Sequence, residues 1–147
     1  MAAAVDHYRA EPDRQPVLVG VEPSTANCVQ ASVEAGRIVT VPGPHHSMMV
    51  GLNCGTPSPL AWPTMVSGVD WFVSVEDDAA AAAMRQLAAI GVVAGETGAA
   101  ALAGLTELLA ADGQRAALGL GPEATALVIV TEGATDPVNY ERILAGA

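Results

Sequence analysis

Residues 95–100 read Gly-Glu-Thr-Gly-Ala-Ala, and they open directly into the apolar segment from Ala99 to Ala111. A turn at the start of a helix presents backbone N–H groups, which can bind an anion or the polar edge of a cofactor. The same pattern also serves as an ordinary tight helix start, in which glycines supply backbone freedom. Both interpretations stay open on this stretch alone.

Short apolar runs alternate with helical segments on both sides of this turn. Strands are predicted at 17–21, 38–41, 69–75 and 126–130, and the last of these is the clearest buried strand in the sequence. Seven helices are predicted. Four have signals at one end: one begins at Ser24 or Thr25 and runs to about Ala35, one runs from a Ser74–Asp77 capping pattern to Ile90, one follows Gly98, and one follows Pro137. The other three lie at 2–9, within 60–66 and at 114–118. The alternation predicts an α/β fold, a parallel sheet with flanking helices, in a single domain over 1–147.

The charge of the chain argues against a nucleic-acid partner. The net charge is -10, and the six cationic side chains are scattered along the sequence. Nucleic-acid binding needs clustered cations that displace counterions. All six cations are arginines, so the chain offers no Schiff-base lysine and no lysine for a phosphate-binding loop of the Walker type.

The pattern of apolar residues argues against a membrane segment. No apolar run approaches the roughly 20 residues that span a bilayer, and no basic segment precedes an apolar run as in a signal peptide. We therefore expect a soluble, cytoplasmic chain with no membrane partner.

Acidic residues follow several predicted strands, where a parallel sheet binds its ligands. Glu22, Glu96 and Glu132 are candidates for general acid–base work or metal binding, and equally for helix capping. His45 and His46 with Cys54 contain ligand types for zinc, but no fourth ligand is evident, so we predict no metal site. Cys28 and Cys54 lack the spacing of a zinc or redox pair, and small buried thiols are the simpler interpretation.

Four motifs, taken in order, carry a resemblance to a known family. They are Val-Glu-Pro at 21–23, Val-Gly-Leu-Asn-Cys-Gly-Thr-Pro-Ser at 50–58, the stretch at 95–100, and Val-Thr-Glu-Gly-Ala-Thr-Asp at 130–136. Together they resemble diaminopropionate ammonia-lyase, of the tryptophan-synthase-β-like group of fold-type-II pyridoxal-phosphate enzymes. The similarity covers essentially the whole chain, and residues 2–9 look like the helix that follows the family's phosphate-binding loop.

The resemblance implies the C-terminal portion of such a lyase. The family's Schiff-base lysine, phosphate loop and catalytic aspartates have no counterpart here, so we predict no catalytic residue. By the resemblance, Thr131 offers its hydroxyl to the pyridine nitrogen of the cofactor, Glu96 with Gly95 lies close to the same ring edge, and Glu22 marks the neighbouring strand end. Cys28 and Cys54 match cysteines that such lyases can carry, which makes them a candidate thiol pair near the site.

Two functions follow as hypotheses. In the first, the chain is a fragment or split chain of a pyridoxal-phosphate lyase that eliminates ammonia from 2,3-diaminopropionate. It would be inactive alone, bind the cofactor poorly by itself, and need a separate N-terminal-half polypeptide that carries the lysine. In the second, it is a non-catalytic α/β binding or self-association module derived from that fold. Uncovered apolar surface would make a homodimer in either case.

Overall fold

The computed structural model describes residues 1–11 and 15–146, so the middle of the predicted loop at 11–16, with Arg14, lies outside the described residues. The helices are α1 (Ala2–Tyr8), α2 (Cys28–Glu34), α3 (Trp62–Gly68), α4 (Asp77–Ala89), α5 (Glu96–Ala110), α6 (Asp112–Ala117) and α7 (Pro137–Leu144), with a 3₁₀ turn at Val50–Leu52. The strands are β1 (Val19–Pro23) and β2 (Trp71–Val75).

The two strands form a parallel sheet. Val19 lies opposite Trp71, and the register continues to the pair of Pro23 and Val75. Two parallel strands need a long crossover connection between them. Here the segment that contains α2 and α3 forms the connection from β1 to β2. The predicted α/β fold with a parallel sheet and flanking helices is confirmed.

The main core lies between α4, α5 and the sheet. Alanines form much of the contact, including Ala80 and Ala83 on α4 and Ala99 and Ala103 on α5, all at most 2% exposed. Small side chains let the elements approach closely. At Gly104 a Cβ would lie 2.5 Å from Cγ2 of Val21, so glycine is needed where α5 crosses β1. This packing fixes α5 against the sheet and hence the position of its first turn.

Most of the predicted helices are confirmed, but two predicted caps are wrong. Helix α2 begins at Cys28, and neither Ser24 nor Thr25 caps it, because the carboxylate of Glu22 accepts hydrogen bonds from the α2 backbone instead. Ser74 does not cap α4, since its hydroxyl donates to Oε1 of Gln30 at 2.7 Å. Gly36 and Gly91 follow α2 and α4 with φ values of +65° and +80°, which side chains rarely adopt.

The predicted strand at 38–41 is wrong. Its backbone groups bond to loops rather than to a ladder: the Val39 N–H donates to Oγ of Ser32 at 3.0 Å, and the Val41 N–H donates to the Gly55 carbonyl at 2.8 Å. The N–H groups of Val39 and Val41 are therefore already bonded and do not donate to a neighbouring strand.

The predicted buried strand at 126–130 is also wrong. These residues form no strand in the described parts of the chain, and Leu127 and Ile129 are 71% and 49% exposed. A strand is defined by its ladder, and no other described segment pairs with this one. Residues 126–130 therefore have the composition of a strand, but no described segment pairs with them.

Arg9 anchors the end of α1 to the turn between α3 and β2. Its guanidinium donates from Nε and Nη2 to the Gly68 carbonyl at 3.1 and 2.9 Å, donates to the Pro16 carbonyl at 2.9 Å, and pairs with the carboxylate of Asp70. Asp70 also accepts from the Leu18 N–H at 2.7 Å, directly before β1. One arginine therefore connects α1 to the start of both strands.

Replacing this arginine is expected to destabilise the fold. Arg9→Ala removes the donors of two backbone carbonyls and leaves Asp70 without its counter-ion, which predicts a loss of about 1–3 kcal/mol in the free energy of unfolding. Urea unfolding followed by tryptophan fluorescence measures it. Arg37→Ala, at an exposed position, is the matched control and should change stability by less than about 0.5 kcal/mol. Equal effects of the two variants would contradict the anchoring role.

Candidate functional site

The first turn of α5 meets the segment 131–133 in direct backbone contact. The Gly95 N–H donates to the Glu132 carbonyl at 3.1 Å. A Cβ on Gly95 would lie 2.3 Å from the Gly133 carbonyl oxygen, and one on Gly98 would lie 2.2 Å from the Glu132 carbonyl oxygen. Both distances are far below any side-chain contact, so these two glycines are required for the close approach. The two motifs that sequence placed 35 residues apart thus form one surface, which we call the α5 wall (residues 95–98 and 131–133).

Glu96 is the buried acidic group of the α5 wall. It is 7% exposed, and its carboxylate accepts a hydrogen bond from Nδ2 of Asn139 on α7. Asn139 is itself held in place, because its backbone N–H donates to the N-cap residue Asp136 at 3.0 Å. Glu96 is therefore fixed by α7 and not free in solvent.

Thr131 has an exposed side chain in the α5 wall. Within residues 1–11 and 15–146, no protein group bonds to its hydroxyl, whereas the nearby Thr135 hydroxyl donates to Oε1 of Glu132 at 2.9 Å. Thr131 thus presents a hydroxyl that can donate to an external acceptor.

The loop at 47–54 also contacts the α5 wall. The Gly51 N–H donates to Oγ1 of Thr97 at 3.1 Å. The start of the loop is bound to α4, because the carboxylate of Asp77 accepts from Oγ of Ser47 at 2.6 Å and from the Met48 N–H at 3.0 Å. Buried Met49 then packs in the main core. The long loop predicted at 42–59 is thereby tied to the first turns of both α4 and α5.

Glu22 lies at the end of β1 and serves the start of α2. Its two carboxylate oxygens accept from the N–H groups of Val29 and Gln30 at 2.9 and 2.8 Å. Burial raises the pKa of Glu22, while these two backbone hydrogen bonds oppose the rise. All the bonds described for its carboxylate go to α2, so the structure gives Glu22 a capping role, and its predicted role beside the cofactor stays a prediction.

Cys28 and Cys54 are both free thiols, the first buried and the second exposed. Burial raises the pKa of the Cys28 thiol to about 11, and the nearby Glu22 carboxylate and Cys54 thiol add to the rise. The predicted pairing between the two thiols stays a prediction.

The raised pKa of Cys28 predicts a loss of stability at alkaline pH. In the unfolded chain the thiol ionises near its ordinary value of 9.0, whereas in the fold it stays protonated up to about 11. Stability is thus fully present below pH 9 and falls between pH 9 and 11, by roughly 2 kcal/mol. Urea unfolding at pH 8 to 11 measures the slope. In Cys28→Ala the slope should be shallower, and an unchanged slope would contradict the assignment.

His45, one of the candidate zinc ligands, contacts the turn between β1 and α2. The Nδ1 atom of His45 lies 2.9 Å from the Thr25 carbonyl oxygen. In the described part of the chain, no three histidine, cysteine or acidic side chains cluster as they would around a metal ion. Among the same residues, no helix has both the length and the apolar character to cross a membrane.

Sequence reasoning missed two residues that hold this site together, Asn139 and Asp77. Asn139 follows the capping pair Asp136-Pro137, which predicted the helix but not the contact of that helix with Glu96. Asp77 was assigned to the acidic first turn of α4, and its bond to Ser47 spans 30 residues. Neither contact leaves a local pattern in the sequence.

Comparison with known proteins gives a consistent set of relatives. The family model described as pyridoxal-phosphate dependent enzyme matches residues 1–132. Diaminopropionate ammonia-lyase of Escherichia coli K12 is 37% identical over 133 residues, which cover 84% of this chain and 33% of the relative. The Salmonella typhimurium protein of the same name is 34% identical over 140 residues, covering 88% of this chain and 35% of the relative.

Solved structures agree with the sequence matches. The crystal structure of holo diaminopropionate ammonia lyase from Escherichia coli superposes with a TM-score of 0.79 and 32% identity, over 96% of this chain and 36% of that protein. The chain thus spans about a third of the length of the relatives it matches.

Proposed function

The chain belongs to the pyridoxal-phosphate dependent enzyme family, and from that premise we propose that it supplies one wall of the cofactor site of a diaminopropionate ammonia-lyase-like enzyme. The observation that carries this proposal is the α5 wall, in which the exposed Thr131 adjoins the backbone contact between Glu132 and the first turn of α5, where the buried Glu96 lies. Both matched relatives act, by name, on diaminopropionate, and the matching family model covers residues 1–132. Pyridoxal phosphate, when bound, supplies an electron sink for bond cleavage at the amino acid.

The residues of the chain fit one edge of this cofactor. The Thr131 hydroxyl has no protein partner among the described residues and can donate to the ring nitrogen, which a neutral partner would leave largely unprotonated. Glu96, fixed by Asn139, would lie beside the same edge together with Gly95. Glu22 would support the neighbouring strand end by holding α2. The surface can therefore bind and orient the ring.

The aldehyde edge of the cofactor needs a group that the chain lacks. The sequence contains no lysine, and a Schiff-base lysine is the usual anchor in such enzymes. The glycines of the α5 wall do not offer a phosphate cradle, because backbone of 132–133 fills the space beside Gly95 and Gly98. We therefore propose that a separate polypeptide carries the lysine and the phosphate-binding loop, and that the isolated chain has no lyase activity.

A substitution at Thr131 tests the binding role. Thr131→Val keeps the shape of the side chain and removes the donor, so pyridoxal phosphate should bind about fivefold more weakly, as expected for one hydrogen bond. Equilibrium dialysis measures the affinity. The matched control is Thr106→Val, because the Thr106 hydroxyl donates only within α5, to the Leu102 carbonyl. Equal affinity of the Thr131 and Thr106 variants would contradict the role of Thr131.

A second candidate function is favoured by exposed apolar side chains. Leu127 and Ile129 are exposed in a segment that sequence predicted to be buried, and Val93 is 57% exposed just before the α5 wall. Exposed apolar surface of this kind usually marks an association site. The candidate is a non-catalytic self-association module, most simply a homodimer.

A further inference from the structure

Hydrogen-bonded side chains connect the surface of α7 to the buried acid of the α5 wall. On the last turn of α7, Nη2 of Arg142 donates to Oδ1 of Asn139 at 2.5 Å. Asn139 in turn donates from Nδ2 to Oε1 of Glu96. Arg142 is exposed and Glu96 is buried, so a single amide connects a cation at the surface to the acid of the site.

The two neighbours of Asn139 require the same orientation of its amide. A guanidinium has only donors, so the amide oxygen must face Arg142. The amide nitrogen then faces Glu96, whose oxygen accepts the bond. The backbone of Asn139 is held as well, because its N–H donates to Oδ1 of Asp136 at 3.0 Å. The amide therefore cannot flip without losing both of its side-chain hydrogen bonds.

The second carboxylate oxygen of Glu96, Oε2, is left for another donor. Among the described residues, Oε1 accepts from Asn139 and no group donates to Oε2. Oε2 is also not sealed inside the protein, because the one buried side-chain atom without a partner in these residues is Oδ1 of Asn53. Glu96 thus has one oxygen held by α7 and one that a donor on a ligand can reach.

The pair of Arg142 and Asn139 differs from an ordinary surface pair on a helix. Polar side chains three residues apart on an exposed helix face stabilise the helix only weakly. Arg115 and Asp112 form such a pair on α6 with the same spacing, and its acceptor is an exposed carboxylate. The acceptor of Arg142 is instead bonded onward to a buried acid. Its main effect should therefore be on the position of that acid and not on the stability of α7.

We propose that Arg142 is a positioning residue of the α5 wall, which holds the Asn139 amide so that Glu96 presents Oε2 to a donor on the bound ligand. The inference rests on the proposed function, in which that ligand is pyridoxal phosphate and Glu96 lies beside its ring. Arg142 acts only through Asn139. Loss of its guanidinium should loosen Glu96 and leave the fold intact.

The side-chain amide of Asn139 reports the first step in the chain without any ligand. Its two protons give a pair of NMR signals that is identified by its absence in Asn139→Leu. Arg142→Met should speed the exchange of these protons with water by about twofold or more, as expected for one weak hydrogen bond. Arg142→Lys keeps a donor and should restore most of the protection. Arg115→Met is the matched control in α6 and should change nothing.

Equilibrium dialysis of pyridoxal phosphate tests the link to the site through a double-mutant cycle. Arg142→Met should weaken binding by about twofold, and Asn139→Leu by about fivefold. The double variant should bind no more weakly than Asn139→Leu, because Arg142 acts through Asn139. Arg115→Met changes the net charge by the same amount and should leave the affinity unchanged, which separates positioning from a general effect of charge on an anionic cofactor.

The outcomes separate this inference from the proposed function. Unchanged exchange of the Asn139 amide in Arg142→Met, or additive losses of affinity in the double variant, would overturn the role of Arg142. Thr131→Val would still weaken binding in that case, and the proposed cofactor wall would stand. A wild-type chain without measurable affinity for pyridoxal phosphate, or an affinity that neither Arg142→Met nor Thr131→Val changes, would overturn both.

Discussion

Gly98→Ala should destabilise the chain by about 3 kcal/mol or more, although alanine is the better helix former. Alanine is favoured over glycine in a helix by up to about 1 kcal/mol. At Gly98, however, the added Cβ would lie 2.2 Å from the Glu132 carbonyl oxygen and 3.1 Å from its N and C atoms. Backbone atoms cannot rotate away as a side chain can, so the segment 131–133 must leave α5.

Urea unfolding and amide hydrogen exchange measure this effect. The Gly95 N–H, which donates to Glu132 in the wild type, should lose its protection in Gly98→Ala. The matched control is Gly113→Ala in α6, where a Cβ would meet nothing within 4 Å, and it should stabilise the chain slightly. If Gly98→Ala also proved stabilising, the close contact within the α5 wall would be refuted.

Asp77→Ala should release the loop at 47–54 and cost about 2–3 kcal/mol more than Asp78→Ala. Both residues place a negative charge in the first turn of α4, so the comparison cancels the helix-dipole contribution. Only Asp77 accepts from the Ser47 hydroxyl and the Met48 N–H. Ser47 is 5% exposed, and a buried donor left without a partner carries its full desolvation cost.

Two measurements separate the loop from general unfolding. Urea unfolding gives the stability difference between the two aspartate variants. Amide hydrogen exchange at the Gly51 N–H, which donates to Oγ1 of Thr97, reports the loop, and it should be faster in Asp77→Ala than in Asp78→Ala. Equal stability and equal exchange at Gly51 in the two variants would contradict the role of Asp77.

The sequence predicted those elements whose signals are local. Helix α7 begins at Pro137 as predicted, because Asp136 supplies the cap within three residues. The apolar period of β2 and the glycines that end α2 and α4 were likewise sufficient to locate these elements. Where one segment decides its own conformation, pattern and turn chemistry are enough.

The failures concern residues whose state depends on distant partners. The run 126–130 has ideal strand composition, but a strand needs a second strand, and none of the described segments provides one. In the same way Ser74 has the position of a cap, but Gln30 accepts its hydroxyl from 44 residues away. Such choices are made by tertiary contacts, which single-sequence patterns do not contain.

In the candidate site, too, local motifs were predicted from the sequence and contacts between distant residues were not. The motifs identified Gly95, Glu96 and Thr131 as site residues, and the structure packs Glu132 and Gly133, which follow Thr131, against the first turn of α5. It could not be predicted that Asn139 would hold Glu96, a contact across 43 residues. Glu22 was placed correctly at a strand end, but its carboxylate is bound by α2, which the local sequence did not indicate.

We propose that this chain forms one wall of a pyridoxal-phosphate site whose lysine lies on another polypeptide. The most direct measurement is pyruvate formation from 2,3-diaminopropionate with added pyridoxal phosphate, by the chain alone and by the chain mixed with the part of the Escherichia coli relative that precedes the matched region. We predict no turnover by the chain alone, and turnover in the mixture that Thr131→Val reduces and Thr106→Val does not. Turnover by the lysine-free chain alone, or a mixture as inactive as its separate components, would contradict the account.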